Sequence, residues 1–261
     1  MIQRPFRSYL WSPVIDILTI SSAALILFTA YFIRGISGFG SGLVAISLLA
    51  HLLPLQFVVP WILVLDFSAS LALSGRSQDR RSIRWDEIGW LLPTTVVGLL
   101  LGLFLLVNLP KPPLLIGLGL FVAAFGIRSL LYLHGEKTIS RWWSVPAGIT
   151  GGTVSAMFGT GGPPYVIYLT HRVHDKLELR STFSGLFFLD GGFRVIAFAM
   201  SGLLIQDSIF WACLAGLPIM ALALYAGHQV HLGISHAQMT RIIGVLLLGS
   251  GISLLVRAFS G

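Results

Sequence analysis

Four ionisable side chains stand in stretches of the chain that are otherwise apolar. Arg34 separates charge-free runs at 17 to 33 and 35 to 65, Asp66 closes the second, and Asp190 and Arg194 lie one helical turn apart inside a later apolar segment. A charge at the centre of a bilayer costs several kcal/mol, so such residues face protein or a water-filled path and mark a site by default. A guanidinium presents a fork that fits two oxygens of a carboxylate, sulfite or sulfonate. A carboxylate in the same setting can carry a proton, answer a nearby cation, or stay neutral and hydrogen-bonded. Arg34 therefore reads either as an anion contact or as a chain snorkelling to a headgroup, and Arg194 either as an anion contact or as the i, i+4 partner of Asp190. Asp66 and Asp190 are the candidate coupling carboxylates, with Asp66 alternatively the counter-ion of Arg34.

Two glycine clusters accompany these charges, Gly35-Ile36-Ser37-Gly38-Phe39-Gly40-Ser41-Gly42 and Gly159-Thr160-Gly161-Gly162-Pro163-Pro164. Both are too glycine-rich to stay helical, and a broken helix in hydrocarbon is tolerated only where protein or a water-filled cavity satisfies its freed backbone groups. The amino terminus of a half-helix leaves N–H groups free and carries partial positive charge, which suits an anion. Glycines let an oxyanion approach the backbone, and Ser41 and Thr160 add hydroxyl donors. The candidate substrate-binding set is Arg34, Gly38, Phe39, Gly40, Ser41, Gly42, Gly159, Thr160, Gly161, Gly162, Pro163 and Arg194. The competing reading, close helix packing, suits single glycines and the spacings Gly98-x-x-x-Gly102 and Gly148-x-x-x-Gly152.

The elements that must position these residues are membrane helices. With 55% hydrophobic and 10% charged residues over 261 positions, against about 25% charged in soluble domains, the chain reads as an all-α polytopic membrane protein. Further charge-free runs at 88 to 110, 142 to 170, 208 to 240 and 242 to 256 suit helices of roughly 20 residues. A porin-type barrel, built from roughly 10-residue alternating strands, is excluded. Turn residues and charge clusters divide the chain into about eight transmembrane units, over 18–53, 56–74, 88–107, 113–133, 143–170, 181–200, 208–226 and 241–258.

Units 18–53 and 143–170 would be about 54 and 42 Å long as continuous helices, against a hydrocarbon core of about 30 Å. Each is therefore expected to be broken or re-entrant at its glycine cluster. A shift of 119 residues lays Phe39, Gly40 and Gly42 on Phe158, Gly159 and Gly161. The expected organisation is two homologous four-unit halves: an amino-terminal repeat over 1–133 with its broken unit at 18–53, a connecting loop at 134–142, and a carboxy-terminal repeat over 143–261 with its broken unit at 143–170. If each unit crosses once, ten Lys and Arg fall on the amino-terminal side and five opposite, which predicts a cytoplasmic amino terminus. The connection from His171 to Arg180 runs against that rule. Hairpins in place of single crossings would invert the halves, and both arrangements stay open.

Other chemistries find less support. The net charge of +7 belongs to loops and ends, and no nucleic-acid partner is expected. Cys213 is the single cysteine, so disulfides and cysteine-based metal sites are out. His171 with His174, and His228 with His231 and His236, have few carboxylates nearby and read as interfacial; neither a metal nor a cofactor is expected. The tryptophans Trp11, Trp61, Trp85, Trp90, Trp142, Trp143 and Trp211 mostly lie near unit ends, as an aromatic belt requires. Arg4 and Arg7 precede an apolar run, but Asp16 and the lack of a small-residue cleavage pattern make it an uncleaved first helix. Two other function classes are weighed. An intramembrane enzyme acting on lipid-linked phosphate would need a convergent acid, base and arginine, for which Asp190, Arg194 and the 171–180 connection are the candidates. A divalent-metal permease would need histidine and carboxylate inside a helix core.

The first-unit core Gly38-Phe39-Gly40-Ser41-Gly42, the lead-in Ile83-Arg84-Trp85-Asp86 and the second-half Phe158-Gly159-Thr160-Gly161-Gly162-Pro163-Pro164 resemble the sulfite exporter TauE/SafE family, also called the 4-toluene sulfonate uptake permeases, of DUF81 type. The likeness covers nearly the whole chain and its duplicated plan. It departs at Ser41, where the family's G-x-G-G-G pattern has glycine; the hydroxyl either tunes an oxyanion contact or leaves that half less ligand-competent. The resemblance implies a secondary carrier of the bacterial inner membrane, not an enzyme, that moves a small sulfur-containing oxyanion such as sulfite or a sulfonate between the two glycine breaks. Proton coupling at Asp66 and Asp190 is a further expectation. The partners are then that anion and membrane lipid, with a homo-oligomer left open.

Overall fold

A computed structural model describes residues 17–37, 40–74, 83–131, 139–159, 162–229 and 236–260. Among them are ten α-helices and no strand: α1 Ile17–Ser37, α2 Ser41–Leu49, α3 Leu55–Ser74, α4 Trp85–Asn108, α5 Lys111–Leu131, α6 Ser144–Phe158, α7 Gly162–Thr170, α8 Lys176–Met200, α9 Asp207–Gln229 and α10 His236–Ser260. α1, α4, α5, α8 and α9 contain stretches long and apolar enough to cross a membrane. Their outer surfaces keep large apolar side chains exposed, among them Leu25, Phe104 and Phe210, which suits contact with lipid.

Several helices start earlier than the charge clusters suggested. Asp86 and Glu87 occupy the first turn of α4. Asp175 Oδ1 accepts from the Glu178 backbone N–H at 2.9 Å and caps α8. Acidic residues stabilise helix amino termini, so clusters read as connections are instead opening turns. Trp61 also departs from the expected aromatic belt: it is buried in α3, whereas Trp85, Trp142, Trp143 and Trp211 are exposed.

The segments around the glycine clusters fold back on themselves. α1 ends at Ser37 and α2 starts at Ser41, with Gly40 at φ 93°. α6 ends at Phe158 with Gly159 at φ 70°, and α7 starts at Gly162. Only glycine takes this left-handed conformation without steric cost. A methyl on Gly151 would stand 2.3 Å from the Tyr165 ring, so α7 packs back along α6. A straight continuation would separate these residues by about 20 Å. At the first break, Ser22 near the start of α1 and His51 just past α2 line one groove with Ser253 of α10, so α1 also turns back.

Close glycine contacts fix the packing and the helix directions. Methyls on Gly98 and Gly102 of α4 would lie 2.2 and 2.3 Å from the carbonyl oxygens of Ile149 and Thr153, and one on Gly152 would lie 2.2 Å from that of Thr95. Position numbers rise together, so α4 and α6 are parallel, each presenting its G-x-x-x-G face to the other. Gly119 meets Gly251 and Leu255, whereas Gly126 meets Gly244 and Leu248, so α5 and α10 are antiparallel. Gly35 and Gly227 make the corresponding contact between α1 and α9.

The starts of α4, α6 and α8 and the end of α7 meet at one face around Glu87, which is fully buried. Its Oε1 accepts from Arg172 Nη2 at 2.8 Å and pairs with Arg141 Nε at 3.4 Å, and its Oε2 accepts from the Tyr168 hydroxyl at 2.6 Å. Arg172 also donates to the Ile139 carbonyl at 3.0 Å. Arg84 grips Asp86 through both carboxylate oxygens at 3.0 Å and reaches Glu178 at 3.4 Å. The hydrogen bonds to Asp86 and Glu87 hold the guanidiniums of Arg84 and Arg172 above their ordinary pKa. Arg172, in the connection that breaks the expected charge rule, is thus held by a buried glutamate.

Gly152→Val is expected to destabilise the protein by about 1–3 kcal/mol through overpacking against the Thr95 carbonyl. A methyl on Gly89 meets nothing within 4 Å, so Gly89→Ala should be neutral or stabilising by up to about 1 kcal/mol. Thermal unfolding in detergent micelles compares the two.

Candidate functional site

The first break places Arg34, near the carboxyl end of α1, opposite Asp66 in the middle of α3. Arg34 Nη1 lies 2.8 Å from Asp66 Oδ1 and 3.0 Å from Ser41 Oγ, and Nη2 donates to Ser70 Oγ at 2.8 Å. The Ser41 hydroxyl donates to the same Asp66 Oδ1 at 2.7 Å, and the Tyr31 hydroxyl does so at 2.9 Å. Arg34 Nη1 and the Ser41 and Tyr31 hydroxyls thus converge on Oδ1. Oδ2 turns instead toward the breaks, where a methyl on Gly42 would stand 2.7 Å from it and 3.2 Å from the Gly159 carbonyl oxygen. The same steric test on Gly159 meets Ile46 Cδ1 of α2 at 2.2 Å. The two breaks therefore pack against each other, beside the Arg34–Asp66 ion pair.

The second break carries a related cluster. Asp190 on α8 is 1% exposed and accepts from the Ser155 hydroxyl at 2.6 Å and the Tyr165 hydroxyl at 3.3 Å. Arg194 pairs with it along the helix, Nε to Oδ2 at 3.1 Å, and donates through Nη1 to the Ser155 carbonyl at 3.1 Å. α3 and α8, which bear the two aspartates, touch through Phe67 stacked on Phe188 at 5.9 Å.

Of the residues singled out in the sequence, Arg34, Gly40, Ser41, Gly42, Asp66 and Gly159 gather at this contact, and Asp190 with Arg194 forms the neighbouring cluster. Gly162 and Pro163 form the first turn of α7, where proline's missing N–H is no loss. Gly38, Phe39, Thr160 and Gly161 lie outside the described residues. Arg34 does not snorkel: its side chain is 12% exposed and points at Asp66. The Ser41 hydroxyl bridges cation and carboxylate.

Tyr31, Ser70, Ser155 and Tyr165 were not singled out, yet a constant offset exposes them. Moving on by 124 residues carries Tyr31 to Ser155, Ser41 to Tyr165, Asp66 to Asp190 and Ser70 to Arg194. In both clusters the aspartate accepts from one hydroxyl before the break and one after it, with serine and tyrosine exchanged. The cation changes place: Arg34 comes from the hairpin, Arg194 from the straight helix that carries its aspartate. Among the described residues no group of three or more His, Cys, Asp or Glu is arranged to hold a metal.

Comparison with known proteins identifies the lineage. The sulfite exporter TauE/SafE family matches residues 23–254. The chain is 30% identical over 196 residues, covering 74% of this chain and 80% of the other, to the probable inner membrane transporter protein TsaS of Comamonas testosteroni. It is 27% identical over 240 residues, covering 88% of this chain and 91% of the other, to the probable sulfite/organosulfonate exporter TauE of Cupriavidus necator. No solved structure matches significantly. The chain belongs to the sulfite exporter TauE/SafE family; it is a membrane transporter and not an enzyme.

Removing one partner of a buried ion pair strands the other charge, at a cost of about 3–5 kcal/mol. Asp66→Asn and Arg34→Gln are each expected to destabilise by about that much, and the double variant by clearly less than their sum. Chemical unfolding in mixed micelles measures the cycle; additive losses would show that the two charges do not act on each other.

Proposed function

We propose that this member of the sulfite exporter TauE/SafE family is a secondary carrier of the bacterial inner membrane for a small sulfur-containing oxyanion such as sulfite or a sulfonate, with the anion bound where the two glycine breaks meet. The observation that carries this reading is the packing of Gly42 against Gly159 beside Arg34 and Asp66. Paired discontinuous helices with free N–H groups are a recurrent way to hold an anion in mid-membrane, and Arg34 adds a fork for two of its oxygens. The names of the two relatives point to the same substrate class.

The ion pair suggests how a proton would be coupled. Arg34 is neutralised by Asp66, so an anion that takes the guanidinium leaves a bare carboxylate in low dielectric, which is costly. A proton on Asp66 Oδ2, the oxygen facing the breaks, removes that cost and releases Arg34 to the anion. Proton and monoanion then bind together and the loaded site stays neutral.

The same reading organises the fold as two inverted halves, 1–133 and 143–261 about the 134–142 loop, each opening on a broken unit. Parallel α4 and α6, their counterpart pair α9 and α1, and antiparallel α5 and α10 support an axis in the membrane plane. Folded-back hairpins change the charge tally. Counting Lys and Arg by connection, Arg4, Arg7, Lys111 and Arg257 fall on the amino-terminal side and the other eleven outside the membrane core fall opposite. The 171–180 connection then obeys the positive-inside rule, and the amino terminus points away from the cytoplasm. This revises the orientation expected from single crossings, and labelling of single cysteines introduced at Lys111 and Lys176 of a Cys213→Ser chain in intact cells distinguishes the two.

Proteoliposomes holding the purified chain should take up sulfite or a simple alkanesulfonate saturably, faster when the outside is made acidic. Arg34→Ala should lower uptake by at least about a hundredfold, the loss of a charged contact worth roughly 3 kcal/mol. Asp66→Asn should keep anion exchange but lose its dependence on a pH gradient. No saturable flux for any of these anions, with Arg34→Ala indistinguishable from the parent, would end the carrier reading.

A further inference from the structure

The groove at the amino-terminal face has no part in that mechanism. It measures about 390 Å³ and lies between α1, α2 and α10, lined by Ser22, Ile26, Leu48, His51, Ser250 and Ser253. One stretch of the wall is apolar, through Ile26 and Leu48, and the other carries hydroxyls and an imidazole. His51 Nδ1 is 3.0 Å from the Ser47 carbonyl oxygen. A carbonyl only accepts, so Nδ1 bears the proton, and in the neutral ring Nε2 accepts from Ser253 Oγ, 3.0 Å away. Arg257 donates to the His51 carbonyl while its side chain stays exposed, which fixes a cation at the polar end.

Two further features mark the groove as a place for a ligand. Ser250 is 7% exposed, and its hydroxyl has no hydrogen-bond partner among the described residues. Helical serines elsewhere in the chain, such as Ser21 and Ser68, satisfy the same group on a carbonyl about one turn earlier. A buried hydroxyl left unpaired is costly, so a phosphate oxygen supplied from the groove would remove a penalty. Beside it, a methyl placed on Gly249, which also lines the groove, meets nothing within 4 Å, so a side chain there has room to stand.

We propose that this groove binds one anionic phospholipid of the surrounding bilayer, its phosphate held by Arg257 and Ser250 and an acyl chain lying along Ile26 and Leu48. The depth suits a lipid. Ser22 and Ser253 stand roughly 8–10 Å along the helix from the ends of α1 and α10, within the leaflet that shares this face, and Arg257 stands about 5 Å from the end of α10. Leu25 and Ile252, beside the groove, are exposed toward hydrocarbon. A free anion would have no use for the apolar wall, and a neutral lipid no use for the arginine.

Native mass spectrometry of the purified full chain, mixed in turn with phosphatidylglycerol and phosphatidylcholine of the same acyl chains, tests this without reference to transport. The protein should retain one phosphatidylglycerol, preferred about fivefold, the gain expected for a single arginine near an anionic headgroup. Arg257→Gln should erase that preference. Gly249→Phe should fill the groove and abolish retention while leaving the unfolding temperature unchanged or raised; Gly249→Leu serves the same purpose if the larger ring prevents folding. Equal retention of the two lipids by the parent, undiminished retention in both Gly249 variants, or displacement of the lipid by millimolar inorganic phosphate alone would overturn the proposal, the last by making this a site for a free anion.

Discussion

A guanidinium held within hydrocarbon must have an anion at hydrogen-bond distance, and the surroundings of Arg34 follow from that requirement. Asp66 supplies the charge at 2.8 Å, Ser41 and Ser70 accept from the guanidinium as well, and Ser41 and Tyr31 donate to the carboxylate. Burying so many polar atoms around one carboxylate leaves no room for a side chain at position 42, where a methyl would press on Asp66 Oδ2. The glycine that satisfies this constraint also lets α2 approach Gly159 of the other hairpin. One electrostatic need therefore fixes the approach of α2 to α3, and through Gly42 and Gly159 the contact of the two breaks. Bilayers tolerate non-helical backbone only where protein or a water-filled cavity satisfies it, and here Gly42 and Gly159 bring the two breaks together.

Helices around this centre are held by a different principle. Hydrocarbon offers no hydrophobic reward for helix association, so close packing must supply it, and the glycine pairs joining α4 to α6, α5 to α10 and α1 to α9 do so. Charge is used at the rim. Glu87, Arg172, Arg141 and Tyr168 tie the second hairpin to the start of α4 at one face, and the first hairpin meets α10 at the other.

Part of this was legible in the sequence because it rests on exceptions to composition. A charge in an apolar run is conspicuous, and Arg34, Asp66, Asp190 and Arg194 all prove to sit in ion pairs. The G-x-x-x-G spacings announced close packing, and α4 and α6 use them against each other. Hydroxyl partners were not legible, since Tyr31, Ser155 and Tyr165 carry no charge and do not interrupt the apolar runs they stand in; only the offset of 124 residues that lays Asp66 on Asp190 would have pointed to them. Glu87 was hidden for the opposite reason. It stands in a charge cluster that reads as a connection, and only its tertiary partners make it a buried anchor. Single crossing or hairpin was undecidable because glycine composition marks a break without giving its angle.

The two clusters share their aspartate and hydroxyls but not the origin of their cation, and this difference has a mechanical consequence. Asp190 and Arg194 are one turn apart on α8, so their pairing survives any movement of the second hairpin and only the hydroxyls of Ser155 and Tyr165 and the Ser155 carbonyl are exchanged. Arg34 and Ser41 belong to the first hairpin, whereas Asp66 belongs to α3. A shift of that hairpin against α3 separates cation from carboxylate, which is unfavourable unless a proton arrives on one and an anion on the other. Under the carrier reading, the amino-terminal cluster is thus the one whose opening requires substrate, and the carboxy-terminal cluster is a fixed counterpart that keeps its charges matched while the hairpins move.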